Sequence, residues 1–255
     1  MKIVCISQVY WPDTASVAQH LVDLLQALSD HGHDVTVITS RHNYEHPEIM
    51  YPAMEHHNGV RIHRLSNTGF GKKTKLGRLA DFLSFNVLIS CKLLLLKRSE
   101  CDAMIGLTSP PLLSYLGIRA AKMKNIRFVY WTMDLQPELS LVAGYMKAGS
   151  IPAKSMQKCR DYVLHQSDKI IVLDDYMKQH INRRLHTEKS GIDVIPVWPV
   201  MTAVFEGGRM ENPFRIENGF GDRIVIMYSG NHSVMHPLTT LLDAAVRLKE
   251  DGRFL

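Results

Sequence analysis

The sequence predicts an α/β fold built on a doubly wound, mostly parallel sheet. Two observations lead there: short apolar runs rich in β-branched residues recur along the chain, and an apolar pattern at helical spacing follows most of them. A third limits the class. At 45% apolar and 22% charged residues, the 255-residue chain has the balance of an ordinary globular protein, which excludes disordered, collagen-like and disulfide-stapled types.

The first strand is the run 1–7 (MKIVCIS), and Leu21, Leu24, Leu25 and Leu28 place a helix behind it that Gly32 closes. Residues 34–40 (DVTVITS) form the second strand, so the chain opens with a βαβ unit and a parallel pair. The alternation continues with a strand at 60–65, a helix at 79–97, a strand at 103–107, a helix at 112–122 and a strand at 127–132. A helix near 153–165, a strand at 169–173, a helix at 176–185 and a strand at 193–196 complete it. Pro196, Pro199, Gly207, Gly208, Pro213, Gly219 and Gly221 then crowd one stretch, as in a connector. We expect a first domain over 1–200, a linker over 201–221, and the start of a second domain over 222–255 with a strand at 223–229 and a helix at 237–250. One strand and one helix bury no core of their own, so most of that second domain is expected to be missing.

Charge is unevenly spread. Residues 61–98 carry Arg61, Arg64, Lys72, Lys73, Lys75, Arg78, Lys92, Lys97 and Arg98 against the single acid Asp81, a net of +8 that leaves the remainder at −3 within the overall +5. Such a stretch suits an anionic partner, or is a solvated loop and helix end. On the 79–97 helix, Phe82, Phe85, Ile89, Leu93 and Leu96 share one face, while Leu83, Val87, Cys91 and Leu94 share another. One face meets the sheet; the second needs a neighbouring helix or an anionic bilayer surface. Aromatic residues do not interleave with the charges as base stacking would require, so nucleic acid is not an expected partner.

Cys5, Cys91, Cys101 and Cys159 are scattered without a C-x-x-C pair, which fits reduced thiols in the cytoplasm and gives no zinc framework. The apolar run after Lys2 is too short for a secretory signal. The turn at 7–14 (SQVYWPDT) lacks G-x-G-x-x-G, which argues against a nicotinamide enzyme. Gly71-Lys72 is followed by Lys73 and has Ser66 where a P-loop needs its first glycine. His42, His46, His56, His57 and His63 match no zinc template and are expected to be solvent-facing loop residues, with no metal and no cofactor. Asp174-Asp175 is expected to cap the next helix.

Several segments together carry a resemblance: YWPDTAS at 10–16, GHDVTVITS at 32–40, TSPP at 108–111, DLQPE at 134–138, DKIIVL at 168–173, IPVWP at 195–199 and YSGNHSVMHPL at 228–238. In this order the chain resembles the family 4 retaining glycosyltransferases, whose GT-B arrangement sets two Rossmann-like domains face to face across a cleft. The resemblance implies transfer of a hexosyl group from a nucleotide-sugar donor to a saccharide or lipid-linked acceptor in glycan or polysaccharide biosynthesis. It also implies a cytoplasmic protein, peripheral on the inner face of the membrane, with an anionic membrane surface as a further partner. By the same resemblance residues 1–200 are the acceptor side and the later residues begin the donor side.

The implied site residues follow from the matched segments. Asp134 is the catalytic candidate, with helix capping as its competing role. Ala15 and Ser16 replace the paired glycines of the donor loop, and Gly230, Asn231, His232 and His236 form the diphosphate loop, with His236 near the cap of a helix whose first position is Pro237. Asn231 and His236 stand where the family often has Arg and Lys. Asp13, Thr108, Ser109 and Glu138 are acceptor-side candidates, although Thr108 and Ser109 also suit a structural turn, Glu138 a first-turn acid, and Pro110-Pro111 a helix start. No two glutamates stand eight apart, so the family's Glu-x7-Glu pair is absent and the chain alone is expected to be inactive. The alternative is a non-catalytic sugar-nucleotide or partner-binding subunit of a split transferase.

Overall fold

In the computed structural model of the chain, which describes residues 1–71, 74–110, 112–185, 191–200, 205–230 and 237–255, every apolar run expected to form a strand does so except the last. The chain divides into two compact units, Met1–Val200 and Met201–Leu255. In the first unit the strands are β1 (Lys2–Ile6), β2 (Asp34–Ser40), β3 (Met54–His57), β4 (Val60–Leu65), β5 (Ala103–Leu107), β6 (Arg127–Trp131), β7 (Lys169–Val172) and β8 (Ile192–Val194). They form one sheet in the order β3-β4-β2-β1-β5-β6-β7-β8. All neighbours are parallel except β3, which pairs antiparallel with β4.

Helices cover both faces, which is why the strands are near-continuous apolar runs. On one face α1 (Ser16–Asp30) packs Leu21 and Leu25 against Ile3, Cys5, Val35 and Val37. On the other, α2 (Lys75–Leu95), α3 (Leu113–Met123), α5 (Ile151–Gln166) and α6 (Asp175–Leu185) supply Phe85, Ile89, Ile118, Val163 and Ile181 against Val4, Ile6, Phe128 and Ile170. Alternate residues of β1 thus belong to opposite cores, as a period of two requires. A short helix, α4 (Glu138–Val142), follows β6.

Local chemistry sets the ends. Thr74 caps α2 by accepting the Gly77 N–H, which starts the helix four residues before the expected Leu79. Ser150 caps α5, and Asp174 caps α6 by accepting the Met177 N–H at 2.7 Å, as expected. Pro110 does not open α3; the helix begins at Leu113, behind a left-handed Leu112 with φ 71°, and Pro111 lies outside the described residues.

Two corrections concern the histidine-rich stretch. His56 and His57 are in β3 and the half-buried His63 is in β4, not in a loop, and Asn58 (φ 48°) with Gly59 (φ 77°) makes the two-residue turn to Val60. His57 stacks on Trp11 with ring centroids 4.0 Å apart. His42 is also no solvent-facing residue, since its ring nitrogens hydrogen-bond Pro47 O at 2.6 Å and Asn67 O at 2.9 Å.

The second unit contains α7 (Pro213–Glu217), capped by the Asn212 side chain, and α8 (Thr239–Leu248), none of whose residues is buried. Residues 223–229 are not a strand. Among the described residues they pair with the run 253–255 through one bridge, Ile224 to Phe254, and the backbone bonds of Ile224 and Ile226 to Arg253 and Leu255, and a strand needs a longer ladder than that. The residue capping α8 is Leu238, so Pro237 is not its first helical position; Asn231, His232 and His236 lie outside the described residues.

Candidate functional site

In a parallel sheet every strand ends on the same edge, and ligands bind at that edge where the strand order reverses. Here the order reverses between β1 and β5. The loops after β1, β2, β4, β5 and β6 therefore emerge together.

A cavity of about 290 Å³ opens at this edge on the β4-β2-β1 side. The loop after β1 contributes Gln8 and Val9, the end of β2 and its loop Ser40, His42, Asn43 and Tyr44, and the loop after β4 Asn67, Thr68, Gly69 and Gly71. The first turns of α2 add Arg78, Asp81 and Phe82. Its polar walls are held by their own hydrogen bonds. Ser40 Oγ donates to Asn67 Oδ1 at 2.8 Å, and His42 Nε2 bonds Asn67 O, which ties the loop after β2 to the loop after β4, while the Nδ1 bond to Pro47 O braces the loop after β2. Asp81 accepts the N–H groups of Phe70 and Gly71, which holds the entry to α2. A Cβ on Gly69 would lie 2.5 Å from the His42 ring, so only glycine fits there.

Asp13, an expected acceptor contact, stands behind this wall. It is buried, and its Oδ1 accepts from Asn43 Nδ2 at 2.9 Å and from the Tyr44 N–H at 3.0 Å. Burial pushes its carboxyl above the usual range despite the Tyr44 N–H and nearby Arg64. Arg64 is buried too, paired with Glu55 at 3.1 Å and donating to Trp11 O at 2.7 Å. Asp13 thus positions the cavity and does not line it.

Asp134 follows β6 on the same edge. Its N–H donates to Thr108 Oγ1 at 3.3 Å, tying the loops after β5 and β6 together, while burial alone raises its carboxyl pKa. Thr108 is buried and borders a second, smaller cavity of about 40 Å³ with Tyr115, Tyr130 and Arg160, whereas Ser109 is exposed.

Glu138 is the first-turn acid of α4, and its carboxylate is taken by Arg160, which also pairs with Asp161 at 2.9 Å. Arg160 holds Glu138 Oε1; Oε2 is buried and has no hydrogen-bond partner among the described residues. Asp161 joins Arg184 at 2.9 Å, so the cluster ties α4, α5 and α6. Ala15 occupies the cap position of α1 without a side-chain cap, and Ser16 opens the helix. The first N–H groups of α1 therefore face the sheet edge without a capping side chain, an arrangement that favours an anion. Gly230 belongs to the second unit and is exposed. The cavity residues other than Asp13's neighbours carry no motif; polar side chains closing each strand at this edge were the one signal for them.

A family model described as a glycosyl transferase 4-like domain matches residues 16–198. Among solved structures, sucrose-phosphate synthase from Thermosynechococcus elongatus is similar at TM-score 0.65 and 15% identity, covering 96% of this chain and 59% of that one. HepE from Anabaena, solved in complex with UDP and glucose, is similar at TM-score 0.55 and 14% identity, with 97% and 58% covered. UGT89C1 from Arabidopsis thaliana, complexed with UDP, is similar at TM-score 0.53 and 15% identity, with 99% and 63% covered. The chain thus spans about three fifths of each structure's length. Comparison with curated proteins returns no match.

Proposed function

The chain belongs to the glycosyl transferase 4-like family, and from that premise we propose that residues 1–200 form the acceptor side of a retaining transferase that moves a hexosyl group from a nucleotide sugar to a saccharide or lipid-linked acceptor. The observation that carries this reading is the polar cavity at the carboxyl edge of β1, β2 and β4. Its side chains offer donors and acceptors in the mixture that sugar hydroxyls need.

In this reading the cavity holds the acceptor and Asp134 accepts a hydrogen bond, then the proton, from its attacking hydroxyl. The new glycosidic bond forms at the anomeric carbon on the same face from which the nucleoside diphosphate departs, so the configuration is kept, and the diphosphate leaves as an anion. The N-terminus of α1, with Ala15 and Ser16, supplies N–H groups to that anion, and Gly230 permits the backbone turn of a second anion site. The free cysteines Cys5, Cys91, Cys101 and Cys159 suit a reducing, cytoplasmic setting, and glycan or polysaccharide synthesis is the process in which such a transfer serves.

The test is titration of the chain with hexoses, disaccharides and nucleoside diphosphates while amide resonances are followed. Saccharide shifts centred on Asn43, Asn67 and Gly69 are expected; shifts elsewhere, or none, would remove the reading. Nucleotide-sugar binding that persists in a reconstituted complex without transfer would favour the non-catalytic subunit instead.

A further inference from the structure

His42 is held by both nitrogens of its ring, and both partners are backbone carbonyl oxygens: Nδ1 meets Pro47 O at 2.6 Å and Nε2 meets Asn67 O at 2.9 Å. A carbonyl oxygen only accepts, whereas a neutral imidazole carries one N–H and one lone pair. The two bonds together therefore need a proton on each nitrogen, and the 2.6 Å length of the first suits a charged donor. In a neutral ring one lone pair would face a carbonyl oxygen, and that bond would be lost. His20 is set similarly between Ser16 O and Trp198 O, but Ser16 Oγ stands 3.4 Å from its Nδ1 and can donate to that nitrogen. Among the described residues His42 has no such donor.

The two bonds serve different loops. The Pro47 bond stays inside the loop after β2, while the Asn67 bond crosses to the loop after β4. A ring with one proton keeps the shorter bond, to Pro47 O, and turns a lone pair toward Asn67 O. The ring lines the cavity and lies against Gly69, where a Cβ would collide with it, so release of Asn67 O moves the cavity wall. The Ser40 bond to Asn67 Oδ1 and the Ser84 bonds to Thr68 involve no ionisable group and persist when the ring titrates. The change is a loosening of one wall, not a local unfolding.

Charges around the ring come from three segments. Helix α2 presents Arg78 and Asp81 to the same cavity, and Asp81 is bonded to the N–H groups of Phe70 and Gly71. In the loop after β2, Arg41 bonds Tyr51 O and Ser66 Oγ, His46 pairs with Glu48 at 3.3 Å, and Glu45 is exposed. In the loop after β1, Asp13 is turned to Asn43 and Tyr44. The loop after β4 has no charged side chain from Ser66 to Gly71. None of these carboxylates bonds the ring, so its two protons answer to the two carbonyl oxygens.

We propose that the doubly protonated His42 ring is a pH-governed clasp on the cavity, closing the loop after β4 onto the loop after β2 in weak acid and releasing it as the ring loses a proton, so that a saccharide is held more tightly below neutrality than above it. The sign follows from the bonds, two with the charged ring and one without. Histidine is the side chain that ordinarily changes charge within about pH 5–8. The saccharide half of this inference rests on the cavity's role proposed above; the clasp does not.

The experiment follows the full, ligand-free chain by nuclear magnetic resonance from about pH 5 to about pH 8. At the acid end the His42 ring should show hydrogens on both nitrogens, slowed in exchange with water because each is bonded to a carbonyl. The Asn67 and Gly69 amides should shift with the midpoint of the ring. Maltose affinity, measured by calorimetry, should fall by roughly tenfold across the same range, the worth of one bond from a charged group, with proton uptake on binding near the midpoint. His42→Gln should bind at the weaker level without pH dependence, and His46→Gln should keep the wild-type curve. A ring with a single hydrogen at the acid end, or Asn67 and Gly69 amides that ignore its titration, overturns the clasp, whether or not His42→Gln folds. Maltose bound equally across the range overturns the coupling of the clasp to saccharide. No maltose binding at any pH, with amides that still follow the ring, removes the cavity's proposed role and leaves the clasp standing.

Discussion

The indole Nε1 of Trp198 donates to Asp23 Oδ2 at 2.8 Å, joining residues 175 positions apart. The same residue accepts at its carbonyl from His20 Nε2 at 2.9 Å, and its ring stacks on Trp131 with centroids 6.0 Å apart. The segment after β8 is thereby clamped onto α1. Trp198→Ala should destabilise the first unit by about 2 kcal/mol, less than a fully buried tryptophan because Trp198 is half-buried. Thermal unfolding should show a loss of roughly 4–8 °C. Asp23→Asn keeps an acceptor oxygen and should lose under half of that; equal losses would mean that the charge, not the bond, matters.

Asp134 should make stability fall with rising pH. Burial raises its pKa in the folded chain above the unfolded value, so below the ordinary carboxylate range both states are protonated and nothing is lost. As pH rises from there through the raised pKa, the unfolded chain gives up its proton first and folding loses stability. Asp134→Asn should therefore melt higher than wild type at pH 7 and match it near pH 3, with a flatter curve between. In a complete transferase the same change should lower kcat by about 10²–10⁴. A variant with a lower melting temperature at pH 7 would show that the carboxylate is paired.

Gly69→Ala should open the cavity wall. The added Cβ would displace the His42 ring from Pro47 O and Asn67 O, costing about 1–3 kcal/mol for the two bonds. Saccharide affinity measured by titration should fall by roughly tenfold for the same reason. Unchanged affinity with lowered stability would place the sugar elsewhere.

The chain by itself should turn over no nucleotide sugar. Asn231 and His236 replace the Arg and Lys that the family resemblance leads one to expect, and the sequence holds no glutamates eight apart. A departing diphosphate needs fixed positive groups and donors already in place. Steady release of nucleoside diphosphate from the purified chain, dependent on acceptor, would contradict this.

The alternation of strands and helices was legible because strands buried on both faces are unbroken apolar runs, as in VCI of β1 and IIV of β7. β3 was hidden by its composition: Met-Glu-His-His at a sheet edge has one side in solvent and no apolar rhythm. Asn58-Gly59 was the available clue, since that pair favours a two-residue hairpin turn. The run at 223–229 misled in the opposite way, apolar enough for a strand but with a single bridge to pair it. The place of Asp134 just after a strand was legible, whereas sequence does not say that the Asp13 carboxylate turns back to Asn43 and Tyr44. The cavity itself arises from four separated segments, and only the parallel register brings them to one edge.

The short, polar β3 also decides how the molecule treats its own kind. A parallel sheet left bare at β4 would offer a row of unpaired amides to any extended chain. Instead that side ends in four residues, Met-Glu-His-His, and the far side ends in the three residues of β8. Neither margin is long or apolar enough to template strand addition, so crowding of many copies near one another carries little risk of fibril growth through this sheet.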